Sequence, residues 1–475
     1  MKKQELNAVF SSETAVIQAP AGHGKTEMIV DMVDFAEGKQ LLLTHTHAGV
    51  DALKKRLDLR KIPKNKYFIS TIAAFCIRWG SAYNHTASIN TALSPYKNRK
   101  ESQLYYSQFY SGTNKLFEHK WAGEILKQTY SGIIVDEYQD CLQIHHEIFK
   151  TISQYLPVRV LGDPLQGIFS FSGQMIVDWN NIEFTTIDVE TKPWRWEKTN
   201  WLLGQYLTNI RKALLPTLLN QRCTVTINSC NGSISVLDPD KFDVYSILKE
   251  LTQYNTVLYI TKWEQQQANF CIRHPGIFQL DEKQDCEDLY KYAELFSNCS
   301  GASLMLSILE FVSKCATKVN TELSSYKNRL VNNNFDFSHI SKHKDFGQLI
   351  TNSQSRNAHE LIADMLCWFE NNSTFKFYRK ELFYEMIRSV KYSREHAISI
   401  YDSAIRIRKD PSLQKKYQSF KFLSSRTLLS KGLEFDCVII DMSTPLSVKE
   451  FYVAMTRAMK KIYILSSSST FVFDP

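Results

Sequence analysis

One segment constrains this chain more than any other: Ala15-Val-Ile-Gln18 runs into Ala19-Pro-Ala-Gly-His-Gly24, and Lys25-Thr26 follow. A short apolar run enters a glycine-bearing loop, and a helical stretch opens at Lys-Thr. A strand that feeds a helix through such a loop suits a parallel sheet covered by helices, because the helix carries the chain back to where the next strand begins. The loop also implies chemistry. Backbone N–H groups of Ala21, Gly22, His23 and Gly24, with the helix N-terminus, form an anion cradle. Lys25 is expected to reach β- and γ-phosphates, the Thr26 hydroxyl to ligate Mg²⁺, and Glu27 to follow in the first helical turn. The strict eight-residue form of the loop opens with glycine, and Ala19 stands there instead. Without its strand and helix, Gly-Lys-Thr is simply a turn.

The rest of the first 200 residues keeps the same rhythm. Strands are predicted at Ala15–Ile17, Leu41–Thr44, Tyr67–Ser70, Ile133–Val135 and Val158–Leu161, separated by helical stretches. Residues 81–120 break the pattern with a polar, Tyr- and Lys-rich insertion. Strand signals return at Val257–Ile260, and no proline occurs between Pro275 and Pro411. Helical periodicity there fits Ala302–Val319, Ala358–Glu370 and Phe383–Val390. Strands resume at Val438–Asp441 and Ile462–Leu465. The expected fold class is therefore α/β, with helical material inserted twice.

Two acidic strand ends complement the loop. Ile133-Ile-Val-Asp136-Glu137-Tyr-Gln-Asp140 puts adjacent carboxylates just past an apolar strand. Hydrolysis of a nucleoside triphosphate needs an acid that holds Mg²⁺ and a base that orients water, roles that suit Asp136 and Glu137 in turn. Carboxylates also favour helix N-termini for purely electrostatic reasons. Gly162-Asp163-Pro-Leu-Gln166 follows the next strand, and Gln166 is placed to sense a γ-phosphate. Three polar loops at strand carboxyl ends converge on one crevice in an open α/β sheet. Phosphoryl transfer further needs cations, which Arg195 in Pro193-Trp194-Arg195-Trp196 and Arg457 in Tyr452-Val-Ala-Met-Thr-Arg457-Ala supply.

These segments, in this order, resemble the UvrD/Rep/PcrA-type superfamily 1 DNA helicases, most specifically at Val135-Asp-Glu-Tyr-Gln-Asp140, Lys431-Gly432-Leu-Glu434 and Tyr452–Ala458. The resemblance implies two RecA-like P-loop motor domains that sandwich Mg·ATP. Residues 1–80 with 121–192 would form the first motor, and 193–265 with 421–475 the second. The insertions would be 81–120 (short) and 266–420 (helical). It further implies that Gln4 reads adenine, Trp194 lies against the ring, and Gly432 with Glu434 holds the sugar. Arg195 and Arg457 would reach the γ-phosphate. Thr44, Thr46, His47 and Thr71 would grip single-stranded DNA, with Phe169 and Phe171 stacking on bases. The implied activity is ATP-driven 3′-to-5′ translocation or unwinding, in DNA repair or anti-phage defence.

Departures from the family pattern qualify coupling more than the ATP site. Ser172 replaces an arginine, Leu428 a histidine, Ala73 a histidine and Glu27 a basic residue. A compact chain with thinned coupling residues also resembles the helicase subunit of Gabija-type anti-phage systems. That alternative is a DNA-end-sensing ATPase switch acting on a partner nuclease of OLD/TOPRIM build. Taken alone, Phe169 and Phe171 alternate as core aromatics do.

Composition excludes several classes. With 475 residues, 44% hydrophobic and 22% charged, the chain is ordinary globular protein and needs no disulfide or metal staple. Its ten cysteines include no Cys-x-x-Cys pair, and neither a signal-peptide core nor an apolar run of membrane-spanning length is present, so a cytoplasmic setting is expected. The net charge of +8 is concentrated: residues 371–425 hold twelve Lys/Arg against five acids, with aromatics between them. Such a stretch is either a solvated helix face or a surface that follows a phosphate backbone.

Overall fold

The computed structural model describes residues 1–93, 99–169, 175–282, 286–352, 357–409 and 420–474. It divides into two compact units, Met1–Ser235 with Leu446–Lys460 and Ser468–Pro475, and Val236–Pro445 with Lys461–Ser467.

The first unit is built on a five-stranded sheet of β1 (Thr14–Gln18), β2 (Gln40–Thr44), β3 (Tyr67–Thr71), β4 (Gly132–Val135) and β5 (Val158–Gly162), ordered β1-β5-β4-β2-β3. Every neighbouring pair is parallel. Alternation along each strand explains the layering. Val16, Leu41, Leu43, Ile133, Val135, Val158 and Val160 join one buried cluster; Ala15, Ile17, Leu42, Ile134 and Leu161 join the other. Helices cover both clusters, so the strands read as apolar throughout instead of alternating with polar residues. The five predicted strands are all present, each within one residue at either end. Among the described residues of the expected 81–120 insertion most are helical, with Arg99–Glu118 the longest element. This unit also holds β6 (Cys223–Thr226), antiparallel to β13 (Thr470–Phe473).

The second sheet has six strands, ordered β7-β12-β11-β8-β10-β9, where β7 is Ile234–Leu237, β8 Val257–Thr261, β9 Gln279–Leu280, β10 Phe422–Arg426, β11 Phe435–Asp441 and β12 Ala458–Leu465. The pairs β8–β10, β9–β10 and β8–β11 are parallel. Between β9 and β10 the described residues are mostly helical and pack around their own apolar cluster, as the proline-free stretch leads one to expect. One boundary differs. The helix expected over Ala302–Val319 stops at Cys315, because Ala316 turns extended and bridges to Phe377; a short helix restarts at Val319.

The basic stretch is also corrected in part. Arg379 donates to Glu282 from Nε (2.7 Å) and to Asp288 from Nη1 (2.6 Å), and Arg408 pairs with Glu385 at 2.7 Å. Phe375, Tyr378 and Phe383 are core residues. Two of its twelve cations, Arg379 and Arg408, are thus held in ion pairs and several of its aromatics are buried, while Lys415 and Lys416 lie outside the described residues. Among the described residues, no helix is long and apolar enough to cross a membrane.

The compact units do not follow the four-part division: residues 193–235 and 446–460 group with the first sheet. The local reason is visible at Trp196, whose indole donates to the Ala458 carbonyl at 2.7 Å and is almost wholly buried. The four-part division stays a proposal.

Candidate functional site

Sheet order brings the three loops together. β1, β5 and β4 are consecutive neighbours, so the loops after Gln18, Gly162 and Val135 leave adjacent strands at the same end. This is where open parallel sheets hold ligands.

The loop 19–24 has the backbone of an anion cradle. Gly22 and Gly24 have φ of 70° and 86°, a region costly to residues with a Cβ. Space forbids a side chain as well. A Cβ on Gly22 would meet Trp196 at 2.6 Å and Arg195 at 2.9 Å, and one on Gly24 would meet Trp194 at 3.0 Å. Gly24 caps the helix Lys25–Phe35, whose first turn offers its N–H groups and Lys25 to an anion. Lys25 is buried and donates to the Ala19 carbonyl at 3.2 Å. Thr26 is partly buried beside it. His23 is clamped, Nδ1 against Thr191 Oγ1 at 3.1 Å and Nε2 against Thr208 Oγ1 at 3.2 Å. Burial, seconded by the Lys25 charge, lowers its pKa to about 4, so the imidazole is neutral. Glu27 turns away to Arg56 (2.7 Å) on the helix His47–Leu59 and to Arg60 (3.4 Å), which caps that helix's C-terminus.

At the end of β4, Asp136 is buried and its carboxyl is pushed up to about 7, first by burial and then by the charge of Glu137, with Lys25 opposing. A buried carboxylate short of compensating charge is a hard oxygen donor that fits Mg²⁺, and the Thr26 hydroxyl in the first turn of Lys25–Phe35 is a second oxygen donor of the same kind. Among the described residues no cluster of three or more His, Cys, Asp or Glu could hold a metal by itself. Glu137 has φ of 53°, unusual for a residue with a side chain, and such strain concentrates at working sites. Gln139 donates to its carboxylate. Gln166 is buried and donates to Asp163 Oδ2 at 3.2 Å.

Both arginines belong to this unit. Arg195 N donates to the Gly22 carbonyl at 3.0 Å and its Nη1 to the Thr456 carbonyl at 2.7 Å. Arg457 is buried, with Nε on the Val453 carbonyl (3.0 Å) and Nη2 on Thr456 Oγ1 (3.1 Å). Trp194 is half exposed, with Lys192 Nζ 3.5 Å from its ring centre. Gln4 is exposed on the helix Lys3–Ser11. Gly432 and Glu434 belong to the second unit, Gly432 at φ 82° just before β11.

The residues expected to grip DNA are placed at the ends of β2 and β3. Thr46 caps the helix His47–Leu59 by accepting from Gly49 N at 3.0 Å, and Thr71 caps the helix Ile72–Ala82 by accepting from Ala74 N at 3.1 Å. Thr44 is buried and His47 exposed. Phe169 lies in irregular backbone, so the strand-like alternation expected there is not found in the described part; Phe171 and Ser172 lie outside the described residues. Sequence reasoning passed over Asp163, Gln139, Arg211 and Tyr452 as site residues. Asp163 and Gln139 sit inside motifs that were read for their neighbours, and Arg211 carries no local signal.

Comparison with known proteins comes to three findings. Residues 2–172 match the family model of an AAA domain, the part of the chain that carries all five strands of the first sheet. No curated protein matches the sequence. Among solved structures, the chain is similar to the arterivirus nonstructural protein 10 (helicase) in complex with DNA, at 11% identity and TM-score 0.35, covering 98% of this chain but 63% of that one. It is likewise similar to the Pif1 helicase from Candida albicans, at 11% identity and TM-score 0.38, covering 99% and 95%. The chain thus spans less than two-thirds of the arterivirus helicase, and at TM-scores this low neither likeness bears on function. The match to the AAA domain is the one that coincides with the site built above.

Proposed function

We propose that this chain is a superfamily 1 helicase-like ATPase that hydrolyses ATP to move 3′-to-5′ on single-stranded DNA. The observation that carries it is the convergence of the 19–26, 136–140 and 163–166 loops on the ends of three neighbouring strands, within the stretch that matches an AAA domain.

In this proposal Lys25 and the N–H groups of Gly22 and of residues 24–26 hold the β- and γ-phosphates, because the expected contributions of Ala21 and His23 are taken up by Asp163 with Tyr452 and by the Pro20 carbonyl. Trp194 lies against the adenine ring and Gln4 at its edge. Thr26 and Asp136 would hold Mg²⁺, which supplies charge neutralisation to the phosphate oxygens. Glu137 accepts the proton of the attacking water, and Gln166 fixes that water or the γ-phosphate. Arg195 and Arg457 spread positive charge over the transferred group. Phosphoryl transfer asks for positioning and electrostatics more than covalent chemistry, and a buried, pre-bonded site meets that need. Thr44, Thr46, His47, Thr71 and Phe169 form the proposed DNA face.

The same resemblance extends the proposal to DNA repair or anti-phage defence, with an OLD/TOPRIM-type nuclease as a possible partner to seek by co-purification. Strand displacement on 3′- and 5′-tailed duplexes tests the motor. Displacement of the 3′-tailed substrate alone is expected, and strong DNA-stimulated hydrolysis without displacement of either would favour the end-sensing switch.

A further inference from the structure

Gln166 hangs from a carboxylate that does much more than hold it. Asp163 Oδ2 accepts from Gln166 Nε2 (3.2 Å), from Ala21 N (3.1 Å) and from the Tyr452 hydroxyl (3.0 Å). Its Oδ1 takes a two-pronged donation from Arg211, Nε at 3.1 Å and Nη2 at 2.9 Å. The Tyr452 oxygen in turn accepts from Ala21 N at 3.2 Å. The main-chain N of Asp163 donates to Gln139 Oε1 at 3.0 Å, and the other end of that amide reaches Glu137. The Asp163 side chain is wholly buried, and Tyr452 and Arg211 nearly so. One residue therefore gathers the phosphate loop, both strand-end loops and the helices Trp201–Leu214 and Val448–Met455.

A carboxylate removed from water is costly unless it is charge-paired and its lone pairs are filled. Arg211 provides the charge, and the five donations saturate both oxygens. Apolar packing of the same volume commonly gives equal or greater stability than such a buried pair, so stability alone is a weak reason for it. What the network fixes is arrangement. The directions of Gln166 and Gln139 follow from where Asp163 is held, and Arg211 and Tyr452 hold it.

We infer that Asp163, Arg211 and Tyr452 are positioning residues that aim Gln166, and through Gln139 also Glu137, so that the hydrolytic step depends on the Tyr452 hydroxyl. This rests on the ATPase proposal. The loss would fall mainly on kcat, because the groups so aimed act on the attacking water and the γ-phosphate, whereas Lys25 and the loop amides beyond Ala21 bind the nucleotide.

The test is steady-state ATPase kinetics, normalised to folded protein by thermal melting, on wild type, Lys25→Ala, Tyr452→Phe, Gln166→Ala and the Tyr452→Phe/Gln166→Ala double variant. Tyr452→Phe should lower kcat by about 10- to 100-fold, the worth of one hydrogen bond to a charged group, with KM for ATP changed less than about threefold. In the Gln166→Ala background the same change should cost clearly less than it does alone, because part of its effect runs through Gln166 and only the part through Gln139 and Glu137 remains. If Tyr452→Phe fails to fold, Arg211→Lys, which keeps the charge and loses the two-pronged grip, should show the same kcat-selective loss. A wild-type kcat in Tyr452→Phe and Arg211→Lys, or a fully additive double variant, overturns the inference while leaving the ATPase proposal intact. Wild-type hydrolysis no greater than that of Lys25→Ala overturns the ATPase proposal and the inference with it.

Discussion

Gln139 donates its side-chain amide to the carboxylate of Glu137, two residues earlier in the chain and held in left-handed backbone at φ 53°. The same amide accepts from Asp163 N at 3.0 Å, so a glutamine buried between two strand ends sets the aim of an acidic side chain that could orient water. Replacing Gln139 by Leu keeps the bulk and removes both bonds. The expected result is a kcat for ATP lower by about tenfold or more, with KM little changed. Equal losses in nucleotide affinity would place Gln139 in binding instead.

Gly24 is constrained twice, by φ 86° and by Trp194 3.0 Å from where a Cβ would sit. Left-handed backbone costs a residue with a Cβ about 1–2 kcal/mol before any clash is counted. Gly24→Ala should therefore weaken binding of a fluorescent ATP analogue by about tenfold or more. Unchanged affinity would show that the loop can relax without harm to its function.

His23 makes stability depend on pH. Its folded pKa is lowered to about 4, against about 6.5 when unfolded, so the unfolded chain binds the proton first as the solution is acidified. Stability is then lost as pH falls from about 6.5 towards 4, by roughly 3 to 4 kcal/mol from this residue. His145, lowered to about 3 by burial, acts in the same direction. Chemical denaturation of His23→Gln across pH 7 to 4 should give a shallower acid slope than wild type, whereas identical slopes would mean His23 is protonated without cost.

Arg379 is a structural cation, held by Glu282 and Asp288. Removing one partner of a buried pair leaves the other charge uncompensated, at a cost of about 3–5 kcal/mol. Arg379→Ala should lower the denaturation midpoint sharply, while Lys391→Ala, at an exposed i,i+4 pair, should leave it unchanged. A stable Arg379→Ala that binds single-stranded DNA with a flatter salt dependence would return this residue to the phosphate-following surface.

The sheet was legible because apolar runs buried on both faces and bounded by polar loops have few other readings, as β2 and β5 show. The phosphate loop was legible because its glycines and Lys25-Thr26 sit at fixed offsets from a strand. Asp163 was harder to see, since its importance comes from Arg211 and Tyr452, which lie 48 and 289 residues further along the chain. The basic stretch stayed open between a solvated face and a phosphate-following surface, because a charge count cannot show that Arg379 and Arg408 face acids of their own unit. Thr46 and Thr71 were legible as loop residues, but nothing local distinguishes a helix cap from a phosphate contact, and in the structure both are caps.

The central claim is an ATPase driven by single-stranded DNA, and the direct measurement is the rate of phosphate release from ATP, with and without an unstructured oligonucleotide, for wild type and Lys25→Ala. The expected result is hydrolysis that rises severalfold with DNA in the wild type and falls to background in Lys25→Ala. Hydrolysis that ignores DNA, or that survives loss of Lys25, would contradict it.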